Sequence, residues 1–160
     1  MYRNLFKDWT ARPVGKGVLV AVQKTCHCGA TMNIRLRTVI FQNKVEIENV
    51  PIYSCDACQR SEVYPPVKSQ LTGYIRTLGT KPEKSTVLFN ELSELAHLLF
   101  QVTRKENKHV PVEAIIESRI NELLDLLLLA QSLDDQAWLE DVRSRLKQIT
   151  THMTATYRLS

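Results

Sequence analysis

Apolar positions recur along this chain with two different periods, and the change between them divides it. In the first half the period is close to two. Ile34-Arg35-Leu36-Arg37 and Val45-Glu46-Ile47-Glu48 alternate apolar with charged residues on either side of the polar pair Gln42-Asn43, which predicts an antiparallel hairpin. With Gln42 and Asn43 as a two-residue loop, Ile40 faces Val45 and Arg37 faces Glu48, so apolar side chains share one face and charges the other. Val18-Leu19-Val20-Ala21-Val22, set off by Gly15 and Gly17, predicts a further strand. Ahead of it Tyr2, Leu5, Phe6 and Trp9 form one apolar stripe at helical spacing. That short helix is expected to fold back over the β segment and enlarge its core; binding a partner or a membrane surface is the rival role.

After Tyr64-Pro65-Pro66 the period lengthens. Val67, Leu71, Ile75 and Leu78 share a helix face, and Gly79 stands where a helix end favours a left-handed residue. The polar, aperiodic stretch Gly79 to Lys84 then predicts a boundary between a domain of residues 1–79 and one of residues 80–160. From Thr86 onward the pattern is helical only. Leu92, Leu95, Leu98, Leu99 and Val102 make one apolar face, and Pro111 opens a second helix. Trp138, Leu139, Val142, Leu146 and Ile149 stripe a third, after the acidic turn Leu133-Asp134-Asp135. The second helix carries leucine at nearly every angle, with Asp125 alone on a polar side, and such a helix must be covered all round. The expected fold class is α+β: a small antiparallel β module followed by an all-α bundle of about three helices.

Composition narrows the class. The 160 residues are 44% hydrophobic and 24% charged, which is ordinary for a chain that buries a core. No uncharged apolar run reaches the roughly 18 residues of a membrane span, and a cytoplasmic location is expected. The net charge of +4 is unevenly placed: residues 1–84 hold 13 basic and 6 acidic residues, and residues 85–160 hold 8 and 11. An anionic partner would therefore meet the first half.

All four cysteines fall in two tight pairs, Cys26-His27-Cys28 and Cys55-Asp56-Ala57-Cys58, within that basic half. Two chelating pairs separated by a hairpin are what a tetrahedral metal ion requires, and Gly29 suits the turn after a C-x-C pair. A structural zinc bound by Cys26, Cys28, Cys55 and Cys58 is the expectation, with His27 as the competing ligand and a redox pair or unmetallated thiols as the remaining alternative. A disulfide framework is disfavoured, because cytosolic thiols stay reduced.

The run from Cys26 to Glu62, with Cys28-Gly29, a polar hairpin and then Val50-Pro51-Ile52-Tyr53-Ser54-Cys55-Asp56-Ala57-Cys58, resembles the YgiT-type zinc finger, the N-terminal module of MqsA-type antitoxins. That resemblance implies a small zinc-bound β module used in regulation. The segment Leu124 to Ile149 faintly resembles the short IDEAL helical motif of some bacterial proteins.

An enzyme is not expected. Four cysteine ligands leave no open position on a metal, the remaining histidines lack chelating spacing, and no phosphate-cradling glycine loop or nucleophile elbow is present. No small-molecule substrate is implied. Two functions remain. The first is a regulatory or adaptor protein, with a protein partner or a homodimer held through Leu126, Leu127, Leu128, Leu129 and Trp138. The second is a nucleic-acid-binding regulator using Lys16, Lys24, Arg35, Arg37 and Lys44, for which weak, salt-sensitive binding is expected because cross-strand acids offset the arginines.

Overall fold

The computed structural model describes residues 23–157, with side chains to residue 151. The fold is α+β, and its described residues divide into one compact unit ending at Thr103 and a second beginning at Arg104. A five-stranded sheet organises the first unit. The strands β1 (Gln23–Thr25), β2 (Thr31–Phe41), β3 (Val45–Cys55) and β4 (Ser61–Val63) pair antiparallel in chain order, and β5 (Ser85–Leu88) runs parallel to β3. The two long strands form because their residues alternate. Met32, Ile34 and Leu36 of β2 and Val45, Ile47, Val50 and Tyr53 of β3 are buried, whereas Asn33, Arg35, Arg37, Glu46, Ile52 and Ser54 are half-buried or exposed.

The hairpin register differs from the one the polar pair suggests. Three residues, Gln42, Asn43 and Lys44, separate the partners Phe41 and Val45, and the first two adopt left-handed φ values of 51° and 56°. Further along, Arg37 pairs with Val50 and Val39 with Ile47, so β3 holds one residue more than β2 between those rungs. Asn49, at φ 62°, takes up the extra residue. The three-residue loop makes Ile40, 60% exposed, face Glu46 and not Val45, and the loop and the bulge together keep Arg37 from facing Glu48. A single bulge flips which side chains share a face, and alternation on either side of it is blind to the insertion.

On its other side β3 has two short neighbours. β5 pairs with Val45 to Glu48 and β4 with Ile52 to Ser54, so Pro51, which has no N–H to give, falls in the gap between them. Its carbonyl accepts the N–H of Tyr64 at 3.0 Å. The expectation of helices only beyond Thr86 is thereby corrected: Thr86, Val87 and Leu88 complete the sheet, because the edge of β3 beside them is open to a parallel strand. The polar stretch Gly79 to Lys84 lies within the first unit, and the division of the chain falls after α3.

Helix α1 (Pro65–Thr77) begins on its two prolines, and Gly79 follows it at φ 71°. The single turn α2 (Phe89–Leu92) and α3 (Glu94–Thr103) bury Phe89, Leu95, Leu98, Leu99 and Val102 in the first unit. Asn90 of α2 accepts a hydrogen bond at 2.9 Å from the bulge residue Asn49, which ties helix to sheet.

The second unit is a helical hairpin. After a 3₁₀ turn at Lys105–Asn107, α4 (Val112–Ser132) and α5 (Gln136–Tyr157) pack antiparallel through Leu123 and Ala130 on one side and Leu139, Val142 and Ile149 on the other. Asp135 caps α5, its carboxylate accepting the Trp138 N–H at 3.0 Å. No helix of the described residues is long and apolar enough to cross a membrane.

The bulge gives a first prediction. Asn49→Ala loses the bond to Asn90 and places a Cβ residue in a left-handed conformation, a destabilisation of about 2 kcal/mol; Asn49→Gly keeps the conformation and loses only the bond, at about 1 kcal/mol. Native-state hydrogen exchange of the β2 and β3 amides reads both values, and equal effects would contradict the account.

Candidate metal centre

Two tight turns lie side by side at one end of the sheet, because Met32 and Cys55 are opposed in the β2–β3 ladder. The first closes the β1–β2 hairpin. Cys26 donates its N–H to Ala30 at 2.8 Å, Gly29 donates to Cys26 at 2.9 Å, and Gly29 takes a φ of 90° that a side chain would strain. The second closes β3–β4. Cys55 donates to Arg60 at 2.9 Å and Gln59 to Cys55 at 3.0 Å, with Gln59 in a left-handed φ of 61° and its side-chain amide donating to the Asp56 carbonyl at 3.0 Å.

These turns bring all four thiols together. The sulfur atoms lie within 4.8 Å of one another, with Cys26 Sγ 3.5 Å from Cys58 Sγ and Cys28 Sγ 3.6 Å from Cys55 Sγ. A tetrahedral ion with metal–sulfur bonds of about 2.3 Å separates its ligands by about 3.8 Å, so the cluster has the size such an ion needs. Cys26 and Cys55 are buried, and Cys28 and Cys58 are exposed. The cluster consists of these four cysteines, so the donor set is sulfur throughout and His27, an exposed residue of the first turn, is no member of it.

The electrostatics of the cluster also favour a cation. The backbone N–H of Cys58, with a smaller contribution from Ala57 and the thiols of Cys28 and Cys58, points at the Cys55 sulfur and lowers its pKa to about 7, against partial desolvation. For Cys58 the Arg60 N–H acts in the same direction, but the neighbouring thiol of Cys26, desolvation and the thiols of Cys55 and Cys28 together push it up to about 11. Sulfur atoms this close do not all ionise in one another's presence without a positive charge at their centre.

Arg35 supports the second turn. One terminal nitrogen of its guanidinium donates to both carboxylate oxygens of Asp56, at 2.8 and 2.6 Å, and its own side chain is only 18% exposed. Its Nε is buried without a hydrogen-bond partner, so the side chain is held by this one charged contact and by packing. The contact crosses from the middle of β2 to the residue between two ligands. Spacing in the sequence does not reveal it; the only signal is an arginine on β2 and an aspartate inside the knuckle.

Among the other basic candidates, Lys24 pairs with Glu62 and lies 5.2 Å over the Tyr53 ring, and Lys44 is exposed in the β2–β3 loop. Arg37 is half-buried and engaged, and Lys16 lies outside the described residues, as do Tyr2, Phe6 and Trp9. Tyr53 itself stacks edge-on against Tyr64, with ring centres 5.6 Å apart, and burial raises the pKa of both phenols. In the helical hairpin Leu126, Leu127 and Trp138 are half-buried, while Leu128 is 64% and Leu129 47% exposed.

Removing the guanidinium tests the supporting role. Arg35→Ala is expected to lower metal affinity about 10- to 100-fold, read by competition with a chromophoric chelator, while the β2–β3 amide shifts far from the turns stay in place. Arg35→Lys is expected to recover part of that loss, since a single terminal nitrogen makes the contact and an ammonium supplies the same charge at slightly shorter reach. Wild-type affinity in Arg35→Ala would show that Asp56 orders the turn by itself.

No protein-family model matches this chain, and no curated protein or solved structure is similar to it; the centre is read from its own residues.

Proposed function

We propose that this protein is a non-enzymatic adaptor in which one structural zinc ion, held by Cys26, Cys28, Cys55 and Cys58, fixes the β unit, and the helical unit binds another protein. The observation that carries the metal reading is the closed set of four thiols. Four sulfur ligands suit zinc or iron, and they complete a tetrahedral shell without the open position that hydrolytic chemistry requires. The YgiT-type resemblance of residues 26–62 favours zinc. A zinc site of this kind contributes folding free energy of about 10 kcal/mol or more, which strands as short as β1 and β4 do not match by burial.

The partner reading rests on α4. Leu124, Leu128, Leu129 and Leu133 are 44%, 64%, 47% and 63% exposed, an apolar surface that invites association. The basic residues of the first unit support a nucleic-acid role less well, because Lys24 and Arg35 are each occupied by a carboxylate. A reducing compartment such as the cytoplasm suits four free thiolates.

Metal analysis of protein purified without added metal is expected to give one zinc and no iron per chain; well under one equivalent of any metal rejects the centre. For the adaptor role, wild type and Leu128→Asp serve as baits in a host extract, with and without nuclease. The expected partner is a protein that survives nuclease treatment and is lost with the folded variant. Recovery abolished by nuclease would put nucleic acid in its place.

A further inference from the structure

The exposed leucines of α4 are arranged as two ridges. At about 100° per residue, Leu124 and Leu128 stack one turn apart on one side, and Leu129 and Leu133, just past the helix end, do so on another. Asp125 and Ser132 lie in the groove between them. Helices pack by setting the ridge of one into the groove of the other, so this groove has the form of a helix-docking face. Its charge is one-sided. Glu113 and Glu117 continue the Leu124–Leu128 ridge toward the N-terminus, and with Asp125 they are exposed and make no ion pair with any described residue. The one cation of α4, Arg119, is engaged with Glu122 at 2.7 Å.

That charge selects the occupant. An apolar ridge laid along the groove desolvates Asp125, and the cost of an unpaired buried carboxylate is removed only by a positive charge from the incoming helix. A second copy of the chain does not bring one on this face: a twofold dimer centred on the groove sets Asp125 against its own counterpart and adds the repulsion of Glu113 and Glu117. We infer that the α4 groove takes an amphipathic helix of a different protein, one whose apolar stripe is bordered by lysine or arginine. This rests on the adaptor reading and adds to it the chemistry of the partner.

Two synthetic helices with identical leucine positions, one with lysines and one with glutamates at the bordering sites, test it against the full chain by amide NMR titration and calorimetry. The lysine helix is expected to shift the amides of residues 124–133 and to bind at least about tenfold more tightly than the glutamate helix. Asp125→Lys is expected to reverse that preference and Leu128→Asp to abolish binding, both with helix content retained by circular dichroism, whereas Glu106→Lys, outside the groove, leaves it unchanged. Equal binding of both helices, or no effect of Asp125→Lys, overturns the basic partner while leaving the adaptor reading in place. A wild-type dimer that Leu128→Asp dissociates makes the occupant a second copy and overturns the inference. Failure of both helices to bind a monomeric protein overturns the inference, while the adaptor reading stands or falls by the host-extract experiment.

Discussion

Four sulfur atoms within 4.8 Å of one another are the constraint on which the β unit depends. As thiolates they repel, and as thiols they leave two turns held by two backbone hydrogen bonds each. A divalent cation at their centre would resolve this, because it would attract every thiolate and tie the β1–β2 turn to the β3–β4 turn. The outer strands are the ones such a tie would support. β1 and β4 are three residues long, a length that is marginal for a strand without other support. The opposed pKa directions of Cys55 and Cys58 express the same conflict: one thiol is eased toward ionisation by its own turn, and the next is held back by its neighbours.

Around the centre the sheet uses a different means of holding its parts. The bulge at Asn49 turns the far end of the hairpin and hands a side-chain amide to Asn90, so the edge that β5 completes is fastened to α2 by a specific polar contact. Arg35 and Asp56 do the corresponding work near the cysteines, joining the middle of β2 to the second turn. The second cysteine turn and the helix-side bulge are thus each anchored by one polar pair that crosses between elements.

What the sequence disclosed follows from how local each feature is. The cysteine pairs were legible because ligands one or two residues apart must share a turn, and both helices of the hairpin were legible from Pro111, from Asp135 and from stripes such as Leu139, Val142 and Ile149. The register of β2 against β3 was hidden, since a loop one residue longer and a one-residue bulge both leave the alternation within each strand segment intact. β5 was hidden for another reason: Ser85 to Leu88 pair in parallel with residues forty positions earlier, and four residues carry too little pattern to announce a strand. The contact between Arg35 and Asp56 was equally non-local. Leucine at every angle of α4 did signal an excess over what one neighbouring helix covers, and Leu128 and Leu133 are where that excess emerges.

The central claim is that a metal ion held by the four cysteines maintains the β unit. Its most direct measurement is amide hydrogen exchange of β1 to β4 before chelation, after it and after zinc is returned. The account predicts that protection of Gln23–Thr25, Thr31–Phe41, Val45–Cys55 and Ser61–Val63 collapses on chelation and returns with one equivalent of zinc. Protection that is unchanged by complete metal removal would contradict it.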